Sequence, residues 1–537
     1  MAHSFNNAAA VEGNPDAVVT HPASGWRYEV KGLVQRRVEP AMELTATHVV
    51  GSGKHARTYL HRAANGEFTE LPLTWYSQER RWALSPGFDQ ATPPDFTRRI
   101  DDRCLFCHSG FGVEPQAIDC QRCHGPGQAH VQRTGPIVNP AKLSPARQLD
   151  VCMQCHLETT SAELPSMIVR FDREMNSYRP GEPLTDYAVH FDQAVGANRF
   201  EIAGQAYRLR QSACFLKSAG RLTCTTCHDP HSGIVKAAAC TTCHAPHQNP
   251  DCASCHMPKR RTEDAVHVTM TDHKIQRRRL PPSEPISRAP GEPIPYFPLS
   301  PRDRDIYQGA ALILGGWNRR RGIELLERHT ADLPAKARSV LGEGYFAERE
   351  FAKASQTLTS PYNLAQALAR VGRPAEARRL LTGLNASPEA SIALGSLAMQ
   401  NGQSSEAVAH YQRSIQARAL NPEAYRELAI ALAAERRIPA ALEAARQAVA
   451  IDAGDPRSRY NLAKLFQETG STERALESFR HAIRLQPGFV EAHLALGQAL
   501  GDAGRLAAAV AEFREVLKLD PHHAEARKLI AQAESMR

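Results

Sequence analysis

Twelve of the thirteen cysteines in this chain fall in six copies of one spacing, Cys-x-x-Cys-His. The copies are Cys104, Cys107 and His108; Cys120, Cys123 and His124; Cys152, Cys155 and His156; Cys224, Cys227 and His228; Cys240, Cys243 and His244; and Cys252, Cys255 and His256. Two thiols three residues apart, followed directly by an imidazole, form the arrangement that attaches c-type haem. The sulfurs add across the two vinyl groups of one porphyrin and the histidine coordinates its iron. Zinc is the competing use of paired CxxC units, but a tetrahedral site gives no reason for a histidine after every pair. A disulfide framework is weaker still, because 537 residues can bury a core without staples. The expected cofactor is therefore haem c, six copies, held by the twelve cysteines with the six motif histidines as proximal iron ligands.

Each iron also needs a sixth ligand or an open position. Seventeen histidines precede residue 290, and six of them are proximal, which leaves eleven for six distal sites. The distal candidates are His130 in HGPGQAH, His190 in AVHFDQ, His231 in CHDPH, His247 in CHAPH, and His267 and His273 in AVHVTMTDH. Any one of them alone reads as an ordinary polar histidine. Their recurrence around haem motifs, with the preference of haem iron for imidazole, supports the ligand reading. Met257 reads as a packing residue rather than an axial thioether. Cys214, outside the motifs, reads as a small buried hydrophobe, with a reactive thiol as the alternative. His55 and His61 read as solvated loop and strand residues.

The elements that must hold these groups follow from spacing. Eleven residues separate the first motif from the second and the fourth from the fifth, and seven separate the fifth from the sixth. Links this short cannot carry a thick layer of protein, so neighbouring porphyrins are expected nearly in contact. The segment from Leu157 to Thr223 is long enough to supply ligands from a distance. Residues 101–280 are read as the multihaem domain, mainly helix and loop. Residues 1–100 hold no motif and alternate like strands: Trp26 to Leu33, Met42 to Val50, and Ala56 to Arg62 answered by Phe68 to Tyr76 across Asn65-Gly66. They are read as a small β-hairpin-rich N-terminal part of the same domain. Residues 281–300 are proline-dense and read as a stiff, extended linker.

From residue 301 to 537 a period of thirty-four appears. Leu394, Leu428, Leu462 and Leu496 keep it, and so do Ala407, Ala441, Ala475 and Ala509. Leu462, Ala463, Phe466, Gly470, Ala475, Phe479, Ala482 and Pro487 fill the tetratricopeptide pattern, while 337–358 and 362–384 read as degenerate copies. The expectation is an all-α solenoid whose stacked repeats bury a continuous core and offer a face to a protein or peptide. Its histidines, among them His410, His481 and His493, read as structural or solvated.

Net charge is +8 and the hydrophobic share 42%. No nucleic-acid partner is expected: Lys259, Arg260, Arg261, Lys274, Arg277, Arg278 and Arg279 have haem propionates or water to face. No membrane span is expected either. Covalent haem attachment follows export, so a periplasmic or extracellular location is expected. The opening MAHSFNNAAAVEGNPDAVV lacks a basic segment before an apolar run, so the natural beginning is expected to be missing.

The segments GSGKHARTYL, LTWYSQERRWALSPGFD, CLFCHSG, CQRCHGPGQAH, VCMQCHLETTS, RFEIAGQAYRLRQSACF, LTCTTCHDPHSG and CASCHMPKRRTEDAVHVTMTDH carry a resemblance. With the C-terminal repeats, the chain resembles multihaem cytochromes c that end in tetratricopeptide repeats, a bacterial family related to the cytochrome c with doubled CXXCH motifs. The resemblance spans most of residues 45–280 and implies haem c and electron transfer without naming a substrate. It also implies an upstream signal peptide, one further CxxCH, and His3 in AHSF as an axial ligand. The leading functional expectation is electron transfer between redox partner proteins, with the repeats docking one of them. The alternatives are a multihaem oxidoreductase acting on a small nitrogen or sulfur compound at one open haem, and a repeat-based assembly scaffold. No CxxCK variant is present.

Overall fold

The computed structural model describes residues 5–10, 13–110, 117–159, 165–193, 199–245, 252–265, 267–277, 292–316, 318–384 and 386–535. Two antiparallel sheets form the N-terminal part. One is a meander of Ala17–Thr20, Arg27–Lys31, Val34–Arg37 and Met42–Thr45. The other runs in the order Phe5–Asn7, His48–Val50, Ala56–Arg62, Phe68–Tyr76 and Arg99–Ile100, with Arg81–Leu84 also paired to Phe68–Tyr76. Their apolar faces meet through Tyr28, Val30, Val49, Tyr59, Leu71, Leu73, Trp82 and Phe96. The Gln35 amide bridges the sheets: Nε2 donates to Leu73 O at 2.8 Å and Oε1 accepts from Leu73 N at 2.8 Å. Phe68–Tyr76 is buried on both faces, because Tyr76 and neighbouring Ala83 pack against Ala265 and Val268 on the side away from the meander.

The hairpin expected across Asn65-Gly66 is present. Two other strand expectations need correction. Trp26 to Leu33 is the strand Arg27–Lys31 turning at Gly32, whose φ of +57° suits a tight turn into Val34–Arg37. Met42 to Val50 is two strands in different sheets. Ala46 and Thr47 cross between them, their amides donating to Leu33 O and Leu60 O at 2.8 Å each.

The motif-bearing region is built of short helices and two small sheets. Asp101 caps Asp102–His108 by accepting from the amides of Arg103 and Cys104, and Ser144 caps Pro145–His156 through Arg147 N. The proline-dense stretch does not end as a free linker: Pro293–Pro295 is a strand against Ala188–Gln193, and residues 278–291 lie outside the described part.

From Pro301 onward the chain is helical to Ser535. Pro388–Gln400 pairs with Ser404–Ala417, Pro422–Ala434 with Ile438–Ile451, Pro456–Glu468 with Thr472–Leu485, and Val490–Asp502 with Leu506–Leu519. The period sets their starts. Ser387, Asn421 and Asp455 recur every thirty-four residues, each followed by proline, and their side chains accept from Ala390 N, Ala424 N and Ser458 N. Small residues let the paired helices close: a Cβ added at Gly395 would lie 2.5 Å from Tyr411, and one at Gly497 2.4 Å from Phe513.

The helical part is joined to both preceding parts. Ile168, Val189 and Phe191 share a core with Ile306, Tyr307, Ala310 and Leu326. At the other contact, Ala453 enters the sheet core beside Trp26, and Arg418 holds Glu67 with two bonds of 2.7 Å. Arg37, fully buried against Asp95, also donates to Ala450 O.

Candidate haem-attachment sites

A helical turn places residues i, i+3 and i+4 on one face, so a helical Cys-x-x-Cys-His presents both sulfurs and the imidazole together. Asp102–His108, Pro145–His156 and Cys252–His256 each carry a whole motif, and Gln121–His124 and Cys224–Cys227 carry most of one. The fifth motif lies at a 3-10 turn, Ala237–Thr242. In Pro145–His156 the helix turns Leu149, Val151 and Met153 into the core and leaves Cys152 and Cys155 half-buried.

Thiols of different motifs are brought together. Cys107 of the first motif contacts Cys155 of the third, and that contact, followed by burial, pushes the Cys155 thiol up. Cys152 of the third contacts Cys224 of the fourth, with the same order of causes raising Cys152. Cys240 of the fifth neighbours Cys252 of the sixth. His108, His156 and His228 lie within electrostatic reach in sequence.

Two histidine pairs form across the motifs. His124 faces His231 with ring centroids 6.0 Å apart and planes 18° from parallel. His228 faces His273 at 6.1 Å and 24°. Two imidazoles bound through Nε2 to one metal, with bonds of about 2 Å and about 1.2 Å from nitrogen to ring centre, have centroids roughly 6 Å apart. In each pair one ring has its outer nitrogen occupied as such a ligand requires, and His256 of the sixth motif is held alike. His124 Nδ1 donates to Val138 O at 2.8 Å, His273 Nδ1 to Thr271 O at 2.9 Å, and His256 Nδ1 to Gln276 O at 2.6 Å. A carbonyl only accepts, so the proton sits on Nδ1 and the Nε2 lone pair faces outward. His156 Nδ1 meets Gln205 Oε1 at 3.0 Å in the same way.

The other candidates are placed differently. His190 is buried, burial lowers its pKa to about 4, and its Nδ1 has no hydrogen-bond partner among the described residues. His130 and His244 are exposed. His267 lies in a surface charge cluster: Arg81 Nη2 donates to its Nδ1 at 3.1 Å, with Glu79 Oε2 at 3.4 Å and the Tyr76 ring beside it. His247 and His3 fall outside the described residues.

Three supporting features were missed in the sequence. Arg208, fully buried, donates from Nε and Nη2 to the two oxygens of Asp272 at 2.9 and 2.6 Å, fixing the residue before His273. Its signal was the acidic residue in TMTDH. Arg122, the third residue of CQRCH, is buried rather than solvated. Glu158, Glu201 and Asp264 form a carboxyl cluster in which Glu201 is buried and the other two half-buried. Burial and then Asp264 raise Glu158 to about 8, and the same causes, with Glu158 added, raise Glu201 to about 9.

Among the described residues no three His, Cys, Asp or Glu side chains gather as a metal site would need. A haem iron asks for only two protein ligands, since the porphyrin supplies four. Large apolar side chains beside the motifs are open to solvent: Val131 is 80% exposed, Leu216 67%, Ile234 63% and Val235 59%. Surfaces of this kind suit an apolar group lying over them. Thiols, imidazoles and apolar walls thus fit a porphyrin.

Comparison with known proteins reaches the helical part. A family described as tetratricopeptide repeat matches residues 392–456, 460–524 and 494–534, and a second of the same description matches 362–381. No curated protein matches. Among solved structures, a chain of the APC/C hetero-tetramer Cut9-Hcn1 is 17% identical over 43% of this chain and 49% of its own, with a TM-score of 0.37. This chain therefore spans about half the length of that one. MamA is 21% identical over 34% of this chain and 97% of its own, with a TM-score of 0.26. TTC0263, a thermophilic TPR protein in Thermus thermophilus, is 20% identical over 34% and 99%, with a TM-score of 0.29. With paired helices on a thirty-four-residue period, the C-terminal part of this chain is a tetratricopeptide-repeat solenoid.

Proposed function

We propose that this chain is a multihaem c-type cytochrome that passes electrons between redox partner proteins, one of them docked on its repeats. The observation that carries the reading is the set of six Cys-x-x-Cys-His motifs, with His124–His231 and His228–His273 at the separation of imidazoles sharing a metal. Haem c would supply one-electron exchange at its iron. The chain's own part would be to anchor each haem through two sulfurs and to orient imidazoles through Nδ1. Motifs whose thiols are in contact, Cys107 with Cys155 and Cys152 with Cys224, would hold their haems near one another. Covalent attachment after export makes the proposed location periplasmic or extracellular.

The repeat matches favour a second reading, in which the solenoid is primary and the protein is an assembly scaffold for protein partners. Paramagnetic-resonance and optical spectra of exported protein decide between the readings. Six-coordinate low-spin haem throughout supports the electron carrier. A high-spin component that shifts with nitrite, hydroxylamine or sulfite replaces it with an oxidoreductase. Protein that folds and binds partners without haem leaves the scaffold.

A further inference from the structure

Arg122 belongs by sequence to the second motif, but its side chain serves the first and third. It is 2% exposed. Nη2 donates to Ser109 O at 2.9 Å and to Gly110 O at 3.4 Å, the two residues that follow the first motif. The guanidinium carbon lies 4.6 Å from the centre of the Phe106 ring, inside the first motif. Gln154, inside the third motif, donates to Arg122 O at 3.0 Å. The guanidinium neighbours Cys107 and Cys155, the pair of sulfurs in mutual contact. Asp119 is a carboxylate facing it, and Tyr187 a nearby phenol.

We infer that Arg122 is a positioning residue for electrons. Its fixed charge raises the reduction potential of the haems held at Cys104–His108 and Cys152–His156 over the value they would have without it. The inference rests on the haem reading. A haem gains one negative charge on reduction, so a buried cation beside it favours the reduced form. Water and salt screen a buried charge poorly, so the effect persists at high ionic strength. Phe106 and the two backbone carbonyls hold the guanidinium in place, and Asp119 offsets part of its charge. The consequence is that the haems at the first and third motifs take up an electron more readily than they would without Arg122.

The test is spectroelectrochemical titration of the full haem-loaded chain as wild type, Arg122→Gln and Arg122→Lys, with haem per chain counted beforehand. The expected result is an unchanged haem count. In Arg122→Gln one or two midpoints fall by on the order of tenfold in equilibrium occupancy, about 59 mV for a one-electron couple. The other midpoints stay in place, and Arg122→Lys keeps the wild-type ladder. A full haem count with every midpoint unmoved in Arg122→Gln overturns the inference and leaves the electron-carrier reading standing. If Arg122→Gln does not mature, Arg122→Met, which keeps an apolar stem and drops the charge, takes its place: a fall in the same midpoints supports the inference, and unmoved midpoints overturn it. Wild-type protein without covalent haem overturns both readings, and the count reveals this before any titration.

Discussion

At the scale of single residues, the buried charges make the clearest predictions. Arg37 and Asp95 form an ion pair with both side chains fully buried, and Arg37 also sits over the Trp26 and Phe96 rings. Removing one partner of such a pair strands the other in low dielectric. Asp95→Ala should therefore cost roughly 3–5 kcal/mol of stability in denaturant unfolding; a cost below about 1 kcal/mol would show that Arg37 finds water instead. Glu201 gives a pH dependence. Its folded pKa is raised to about 9 from an ordinary 4.5, so between those values the unfolded chain has released a proton that the native chain keeps. Stability from this group is complete below about pH 4.5 and declines as pH rises through 9. The thermal midpoint should fall across that window, and Glu201→Gln should flatten the slope; an equal slope in the variant would assign it to other groups. These buried polar groups were not legible in the sequence, because burial of a charge depends on contacts between distant segments. Asp95 meets Arg37, and Asp264 meets Glu201, across links that no local pattern records.

At the scale of elements, what repeats locally could be read and what pairs at a distance could not. The thirty-four-residue period fixed the helix starts, since Ser387, Asn421 and Asp455 each accept an amide of the first turn. The hairpin at Asn65-Gly66 followed from turn chemistry and alternation. The crossing at Ala46 and Thr47 was hidden, because alternation continues through it while the strand changes sheets. The histidines show the same division. CxxCH spacing names its own histidine, but His231 lies three residues from His228 and faces His124. Chain proximity therefore could not tell which iron His231 would serve. Close helix approach offers a direct test: a Cβ at Gly497 would lie 2.4 Å from Phe513, so Gly497→Ala should destabilise the last repeats by about 1–3 kcal/mol. Local unfolding followed by amide exchange in Val490–Asp502 and Leu506–Leu519 measures it, and unchanged protection would contradict that packing.

At the scale of the whole molecule, the solenoid is more than an appendage. Its first helices share a core with Ile168, Val189 and Phe191, and Pro293–Pro295 extends the sheet of Ala188–Gln193. Farther along, Arg418 and Ala453 grip the N-terminal sheets. Cutting at a protease site engineered within residues 281–291 should leave both pieces eluting together in size exclusion; separation into two independent species would show these contacts to be too weak to hold. Among the described residues no helix is long and apolar enough to cross a membrane. Partner docking by the repeats and electron passage by the motif region thus belong, in the proposed reading, to one continuous body. The most direct test is the intact mass of the exported chain combined with a pyridine haemochrome count. The account predicts a mass excess of six haems with all twelve motif sulfurs alkylation-resistant. Free thiols at those positions, or zinc in place of iron, would contradict it.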